Sequence, residues 1–389
     1  MKNLLKVSLY AALFAILLIS CKKDQAPEEV VALGSISGKI VAANNTKAIK
    51  DAVIFINNGG KLYITHTDTN GSFVLEAPAG NRHLTIQTGD GSMFRTEMDV
   101  VITEGQTTQI ASQAVTLTQV ATLAYIPGIY DEIENILVDS MGYTATALNW
   151  SMLTDISNIT PYDALFINCT SDMSAITSAT DSNLADYVAN GGSLYVSDWA
   201  VRCLVGQNGG SSDPCSVQRP GGFIADSLLC VRRTGNTGSF LNAPIVSPSL
   251  QAYLNKLNID EIVYNLPAWE KINYLDASFW ETLVTDPTGN PLLIRTNEYT
   301  NPNKGTLHIG SAANNSYSQV CVAGTGSGHI TLSVKASDVP PLLAAGATSG
   351  ACDNLNSAGR IYYTTFHNEP NGHIGTDMRN ILEFVILNL

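Results

Sequence analysis

The sequence is poor in basic residues, and only 14% of its 389 residues are charged. It has 21 Lys and Arg against 34 Asp and Glu, which gives a formal net charge of −13. Proteins that bind nucleic acid neutralise phosphates with clustered Lys and Arg, so this balance argues against nucleic acid as a partner. The acidic excess favours solubility and is compatible with cationic ligands or metal ions.

The seven cysteines form no CxxC pair and no close spacing with histidine. Zinc sites commonly have such spacings, so the sequence favours disulfides over a zinc site. Five cysteines fall between positions 203 and 352. Without Cys21, which precedes the rest in a separate N-terminal segment, six cysteines remain, and the sequence does not decide how they pair in disulfides. They are Cys169, Cys203, Cys215, Cys230, Cys321 and Cys352.

The chain also lacks a long hydrophobic run at its start, because the apolar segment at 7–20 is too short to span a bilayer comfortably. This segment predicts a signal peptide over 1–20. It ends in LLIS before Cys21, which resembles a bacterial lipobox and implies lipidation of that cysteine, with a tether over 21–33. The alternative is an ordinary secretory signal. By its resemblance to Gram-negative lipoproteins, we expect a lipid-anchored protein of the cell envelope at the outer membrane, facing the periplasm or the exterior.

Short alternating strands follow from Gly34, each bounded by Asn, Gly, Asp or Pro. This spacing predicts an antiparallel β-sandwich over 34–116. The elements TDTNGSF and APAG resemble the carboxypeptidase regulatory-like domain, a transthyretin-like sandwich that implies a spacer or interaction unit. Asp68 and Asn70 have the spacing of calcium ligands, but an isolated D-x-N lacks further carboxylates and favours a turn.

From residue 119 to 389, apolar strands alternate with helical patterns. Strands are predicted in VATLAYI, YTATAL, YDALFINC, SLYVSDWA and RIYYTTFHNEP, and helices in YDEIENILVDSMG, SNLADYVANGG and TDMRNILEFVILNL. This alternation predicts an α/β domain with a mainly parallel sheet. The segment from about 201 to 357 is too long to be a simple connection. Its length and its strand-like stretches predict a large cysteine-containing insertion with some β-structure of its own.

The segments YDALFINC, VANGGSLYVSDWA, IDEIVYNLPAWEKI and GRIYYTTFHNEP together resemble a class I glutamine amidotransferase-like domain, which implies a flavodoxin-like fold. The similarity is to bacterial extracellular proteins with SDWA and FHNE signatures. Catalytic amidotransferases carry a cysteine nucleophile at a glycine-flanked elbow between strand and helix. Here the corresponding elbow carries Asp198 and Trp199, and no G-x-C-x-G occurs. Cys169 lacks flanking glycines, so we interpret it as a buried thiol or a disulfide partner rather than a nucleophile.

Polar residues follow two of the predicted strands, where ligands of parallel sheets gather. Asp198, His367 and Glu369 are the candidate catalytic residues, because carboxylates beside an imidazole bind a divalent metal or tune a general base. The candidate ligand-binding residues around them are Trp199, Trp269, Glu270 and Asn368, whose side chains suit a sugar or another flat ligand. The alternative is that these residues only hold strand ends together by hydrogen bonds.

Two functions remain open from the sequence. The first is a non-catalytic envelope protein that binds a ligand, an envelope protein or a glycan through the α/β domain, with the sandwich as spacer or docking module. The second is a hydrolase or metal-dependent enzyme that uses Asp198, His367 and Glu369. The missing nucleophile elbow favours the first.

Overall fold

The computed structural model describes residues 31–171, 176–206, 222–297, 299, 307–310, 316–324, 328–353, 355, 358–369 and 374–389. It is rich in β-structure, with 40% strand and 21% helix in several sheets and multiple domains. The predicted signal peptide, Cys21 and most of the tether lie outside the described residues, as does Cys215. Within the described ranges, no helix is both long enough and apolar enough to cross a membrane.

The N-terminal region forms a sandwich-like pair of sheets, as the alternating pattern predicts. One sheet has the order β4-β1-β7 with β8 also paired to β1, and the other has the order β3-β2-β5-β6. Inward side chains such as Ile36, Ile54 and Leu84 are fully buried. The strands are β1 (Leu33–Val41), β2 (Val53–Asn58), β3 (Lys61–His66), β4 (Ser72–Pro78), β5 (Gly80–Gln87), β6 (Arg95–Ile102), β7 (Thr107–Gln109) and β8 (Val115–Thr116).

Asp68 shapes the turn between β3 and β4. Its Oδ1 accepts hydrogen bonds from the backbone N–H groups of Asn70 and Ser72, both at 2.8 Å. Gly71 has a φ of +77°, and a Cβ at this position would collide with the carbonyl oxygen of Ile40. Asp68 therefore serves the turn, which is the role that its sequence context favours.

The large sheet has seven strands in the order β10-β9-β11-β12-β22-β18-β17. The first five run parallel, β18 pairs antiparallel with β22, and β17 pairs antiparallel with β18. Both β17 and β18 come from inside the predicted insertion, so this part of 201–357 extends the sheet. The strands are β9 (Leu123–Ile126), β10 (Thr146–Ala147), β11 (Ala164–Ile167), β12 (Ser193–Ser197), β17 (Trp280–Thr285), β18 (Pro291–Thr296) and β22 (Ile361–Thr364).

The described helices are α1 (Ser178–Ala189), α2 (Arg202–Val205), α3 (Pro248–Leu254), α4 (Val339–Ala344) and α5 (Thr376–Asn388). Short 3₁₀ segments are Trp150–Thr154, Ile156–Asn158, Asp198–Val201 and Ala336–Asp338. The helix predicted in YDEIENILVDSMG forms a π-helical segment, Asn135–Ser140. It stops before Gly142, whose φ of +77° ends the helical path.

The remaining strands of the 201–357 region form three small sheets: β13 with β16, β14 with β15, and β20-β19-β21. A disulfide joins Cys321 to Cys352, and Cys230 is also disulfide-bonded. Cys169 and Cys203 are free and buried, so the six cysteines are not all paired. The strands are β13 (Leu229–Gly235), β14 (Gly238–Pro244), β15 (Asn258–Tyr264), β16 (Trp269–Leu275), β19 (Tyr317–Ala323), β20 (His329–Lys335) and β21 (Thr348–Ser349).

The sandwich and the large sheet share one continuous hydrophobic core. Ile36 and Leu84 of the sandwich belong to the same cluster as Phe166 and Tyr195 of the large sheet and Ile386 of α5. Two polar contacts strengthen this junction. The Lys47 Nζ lies 2.5 Å from the Glu383 Oε1, and the Lys50 Nζ donates to the Asn380 Oδ1 at 3.0 Å.

Candidate functional site

Three neighbouring parallel strands bring distant residues to one edge of the large sheet. Cys169 comes two residues after β11, Asp198 directly follows β12, and His367 lies three residues beyond β22. β12 pairs with β11 on one side and with β22 on the other. Because these strands are parallel, their carboxyl ends meet at the same edge, where open α/β sheets commonly bind ligands.

We call Cys169, Asp198 and His367 the carboxyl-edge cluster. The Asp198 Oδ2 lies 3.7 Å from the Cys169 Sγ and 4.0 Å from the His367 Nε2. One potential ligand atom from each residue lies within 4.8 Å of the others. The residues are 0%, 1% and 5% exposed, respectively. The structure thus brings together two of the three candidate catalytic residues, Asp198 and His367, with a cysteine as their neighbour.

Asp198 occupies a strained position at the turn from β12 into a 3₁₀ segment. Its φ is +40°, which is uncommon for a residue with a side chain. The Asp198 Oδ1 accepts a hydrogen bond of 2.7 Å from the Glu270 backbone N–H, at the start of β16. The other carboxylate oxygen consequently faces the thiol and the imidazole.

A buried network lies directly behind the cluster. The Ser197 Oγ accepts a hydrogen bond from the Cys169 N–H at 2.9 Å and donates one to the Asp131 Oδ2. The Asp131 Oδ1 accepts from the Asn368 N–H at 3.0 Å. Burial raises the pKa of Asp131 to about 7, against the opposing effect of these hydrogen bonds. This network fixes the backbone of Cys169 and the segment that carries His367.

Burial also sets the charge of two cluster members. It lowers the pKa of His367 to about 4, so the imidazole is neutral near pH 7. Burial, followed by the charge of Asp198, raises the pKa of the Cys169 thiol well above its ordinary value. A thiol that keeps its proton is a weak nucleophile, so this environment does not activate Cys169.

Glu369 points to a different neighbour. Its Oε1 accepts from the Asn265 backbone N–H at 3.2 Å, and its Oε2 accepts from the Asn265 side-chain Nδ2 at 2.6 Å. These bonds connect Glu369 to the segment between β15 and β16. The third ionisable side chain near Asp198 and His367 is therefore Cys169. Glu369 lies at the rim of the same edge, paired with Asn265.

The two tryptophans predicted to bind a ligand have packing partners. Trp199 is 8% exposed and meets Tyr130 edge to face, with ring centroids 5.4 Å apart. Trp269 stacks on Tyr264 at 4.0 Å, and its Nε1 donates to the Asn236 carbonyl oxygen at 3.0 Å. Both tryptophans therefore pack against neighbouring elements, as the alternative of a purely structural role for these residues predicts.

Glu270 and Asn368, the other two predicted ligand-binding residues, are also buried. The Glu270 Oε1 lies 3.8 Å from the Arg202 Nη2. The Asn368 Nδ2 donates to the Glu132 carbonyl oxygen at 2.6 Å. Each of these side chains thus helps to join separate segments at the carboxyl edge.

Asp131 and Cys169 are the site residues that sequence reasoning did not include. Both lie just beyond the carboxyl ends of strands, in GIYD after β9 and in FINC after β11. Both positions follow from the same rule for the carboxyl ends of parallel strands that points to Asp198 and His367.

A polar cavity of about 630 Å³ opens at the opposite edge of the large sheet. Asp163 and Ser193, at the amino ends of β11 and β12, line it together with Asp353 and Arg360. The last two form an ion pair. This cavity lies at the other strand ends from the carboxyl-edge cluster.

No family model and no curated protein matches the sequence. The structure is similar to a ThuA-like protein from Bacteroides uniformis, at 12% identity over 68% of this chain and 88% of that chain, with a TM-score of 0.30. A DUF3823 family protein from Parabacteroides merdae matches at 13% identity over 24% of this chain and 49% of that chain, with a TM-score of 0.18. The Bacillus anthracis TIE protein matches at 14% identity over 25% of this chain and 19% of that chain, with a TM-score of 0.20. These values support no inference about function.

Proposed function

We propose that the protein is a lipid-anchored envelope protein that binds a ligand at the carboxyl edge of its large sheet without transforming it. In this proposal, Cys21 carries the lipid and the chain belongs to the outer membrane. The α/β region is flavodoxin-like, of the class I glutamine amidotransferase-like type. The sandwich is of the carboxypeptidase regulatory-like type and serves as spacer or docking module.

The position of Asp198 carries the proposal. It lies at the strained turn directly after β12, where the catalytic domains that the sequence resembles have their nucleophilic cysteine. A buried carboxylate held by the Glu270 N–H replaces that thiol. The neighbouring thiol of Cys169 has a raised pKa, so neither group supports cysteine-based amide hydrolysis. Both observations favour binding over catalysis.

The exposed rim of the same edge supports a polar ligand. Glu369 and Asn265 lie at this rim, hydrogen-bonded to each other and partly exposed. Carboxylate oxygens accept hydrogen bonds from hydroxyl groups, and amide groups both donate and accept them, which supports a glycan of the cell envelope as the proposed ligand class.

Lipidation is tested by labelling cells that express the full-length chain with a palmitate analogue. We expect labelled protein in the membrane fraction, and loss of the label in Cys21→Ser. Cys203→Ser is the matched control, because it removes a buried free thiol and leaves the predicted lipobox intact. An unlabelled wild-type chain, or a label that survives Cys21→Ser, contradicts the anchor.

Ligand binding is tested with the full-length chain in detergent, titrated calorimetrically with soluble oligosaccharides from the cell envelope. We expect binding without release of products, weakened in Glu369→Gln and unchanged in Glu76→Gln, an exposed carboxylate of the sandwich. Absence of binding across the oligosaccharides contradicts the glycan assignment. Ammonia release from glutamine that depends on Cys169 contradicts the non-catalytic assignment.

One observation favours the second candidate, a hydrolase that uses Asp198, His367 and Glu369. The His367 Nε2 lies 4.0 Å from the Asp198 Oδ2, and the imidazole is neutral near pH 7 as a general base must be. However, a base with a pKa of about 4 accepts a proton weakly at that pH. Ester or glycoside hydrolysis that is lost in His367→Gln would favour this candidate over ligand binding alone.

A further inference from the structure

The carboxyl-edge cluster combines a thiol, a carboxylate and an imidazole at one buried point. Zn²⁺ binds sulfur, nitrogen and oxygen ligands of this kind, whereas Ca²⁺ and Mg²⁺ prefer oxygen ligands. Thiolate and imidazole together select borderline-soft transition metals over hard cations. The side chains present therefore match a zinc-type ion rather than the hard cations that bind carboxylate clusters.

The distances within the cluster are close to those of a metal centre. Zinc bonds of ~2.0–2.3 Å at tetrahedral to trigonal angles place neighbouring ligand atoms roughly 3.3–3.7 Å apart. The Cys169 Sγ and Asp198 Oδ2 are 3.7 Å apart, and the His367 Nε2 is 4.0 Å from the same oxygen. All three ligand atoms lie within 4.8 Å of one another. A shift of roughly an ångström in the imidazole would complete the geometry.

Neighbouring groups already orient the ligand residues. The Glu270 N–H holds the Asp198 Oδ1, which leaves the Oδ2 directed at the thiol and the imidazole. The Ser197 Oγ holds the backbone of Cys169. Outer hydrogen bonds of this kind position the ligands in metal sites and contribute to affinity.

We infer that Cys169, Asp198 and His367 form a binding site for one zinc-type divalent ion. On binding, the Cys169 thiol loses its proton to solvent and its sulfur forms a bond to the metal, with no change of oxidation state. Three protein ligands leave a further coordination position for water or for a bound molecule. This inference does not depend on the lipid anchor or on a glycan ligand.

The first test uses the wild-type full-length chain, purified in detergent. After equilibration with Zn²⁺ and removal of loosely bound metal, elemental analysis is expected to give one zinc per chain. Titration of the metal-free protein with Co²⁺ is expected to produce a thiolate-to-cobalt charge-transfer band in the near ultraviolet. Less than stoichiometric zinc together with the absence of this band would overturn the inference without any need for a variant.

The second test compares matched pairs of variants. Cys169→Ser should abolish the charge-transfer band, while Cys203→Ser, which changes the other described free buried cysteine, should retain it. His367→Gln should weaken Co²⁺ binding by at least the ~10- to 100-fold that loss of an outer-shell partner costs, while His66→Gln should not. A band that persists in Cys169→Ser, or one that is lost equally in Cys203→Ser, would show that the metal binds elsewhere.

Discussion

The sandwich and the carboxyl edge of the large sheet use aspartate in opposite ways. In the sandwich, Asp68 is exposed and accepts hydrogen bonds from backbone groups two and four residues away. At the carboxyl edge, Asp131 and Asp198 are buried and accept from groups 66 and 72 residues away, respectively. The first carboxylate shapes one turn, whereas the others connect separate strands.

This difference has energetic consequences. An exposed acceptor that is lost is replaced by water, so the cost of removing it is small. A buried acceptor leaves its donors without a partner, and each such donor costs about 1–3 kcal/mol. Substitutions at the carboxyl edge should therefore reduce stability more than chemically identical substitutions in the sandwich.

The largest expected effect is that of Asp131→Ala. This change removes the acceptor of the Ser197 hydroxyl and of the Asn368 N–H, and it should lower the free energy of unfolding by about 3 kcal/mol. Urea denaturation measures the loss. Asp131→Asn is the matched control, since it keeps one acceptor oxygen and should cost less. A loss for Asp131→Ala that is no greater than for Asp68→Ala would remove the proposed contrast.

Lys47→Met should have an intermediate effect, because it breaks a contact between the two regions. Glu383 is 1% exposed and would lose its 2.5 Å partner. Arg379 remains 3.8 Å from the same carboxylate, so we expect a loss of about 1–2 kcal/mol, below that of a fully buried broken pair. A double-mutant cycle with Glu383→Gln measures the coupling. A coupling energy indistinguishable from zero would mean that the ion pair does not stabilise the junction.

Asp68→Ala should cost about 1 kcal/mol, since only a local turn loses its acceptor. Asp68→Asn keeps the side-chain oxygen and should leave the free energy of unfolding nearly unchanged. The same urea experiment serves both variants. Equal losses for Ala and Asn would show that the charge matters more than the hydrogen bonds.

The smallest expected effect is a pH dependence from His66 in the sandwich. Its hydrogen bond to Asp51, 2.9 Å long, raises the pKa of His66 above 6.5. The resulting stabilisation is complete below pH 6.5 and is lost as pH rises through the folded-state pKa. For this partly exposed pair we expect less than about 1 kcal/mol. Comparing wild type and His66→Gln at pH 5.5 and 8.5 measures it, and identical pH profiles would contradict the prediction.

The same contrast explains which features the sequence could predict. The sandwich strands and the Asp68 turn depend on neighbouring residues, so alternation and the Asn70–Gly71 pair were sufficient to predict them. The apolar segments of β11 and β12 likewise predicted buried parallel strands. The proximity of Asp198 and His367 followed from the rule for carboxyl ends of parallel strands.

Other features of the site depend on strand order, which the sequence does not specify. The absence of flanking glycines indicates that Cys169 is not a nucleophile, but only the pairing of β11 with β12 places it beside Asp198. Trp269, a predicted ligand-binding residue, stacks on Tyr264 across the connection between β15 and β16, a packing contact that the sequence alone does not predict. Glu369 pairs with Asn265 because the connection between β15 and β16, 104 residues away in the sequence, packs against the end of β22.

The continuous core has a mechanical consequence. Because buried side chains of the sandwich pack in one cluster with those of the large sheet and α5, we expect the two regions to move as one rigid body. A force applied at Leu33, where β1 begins, would be transmitted through these packed side chains to the large sheet. The packing therefore fixes the distance and angle between Leu33 and the carboxyl edge of the large sheet.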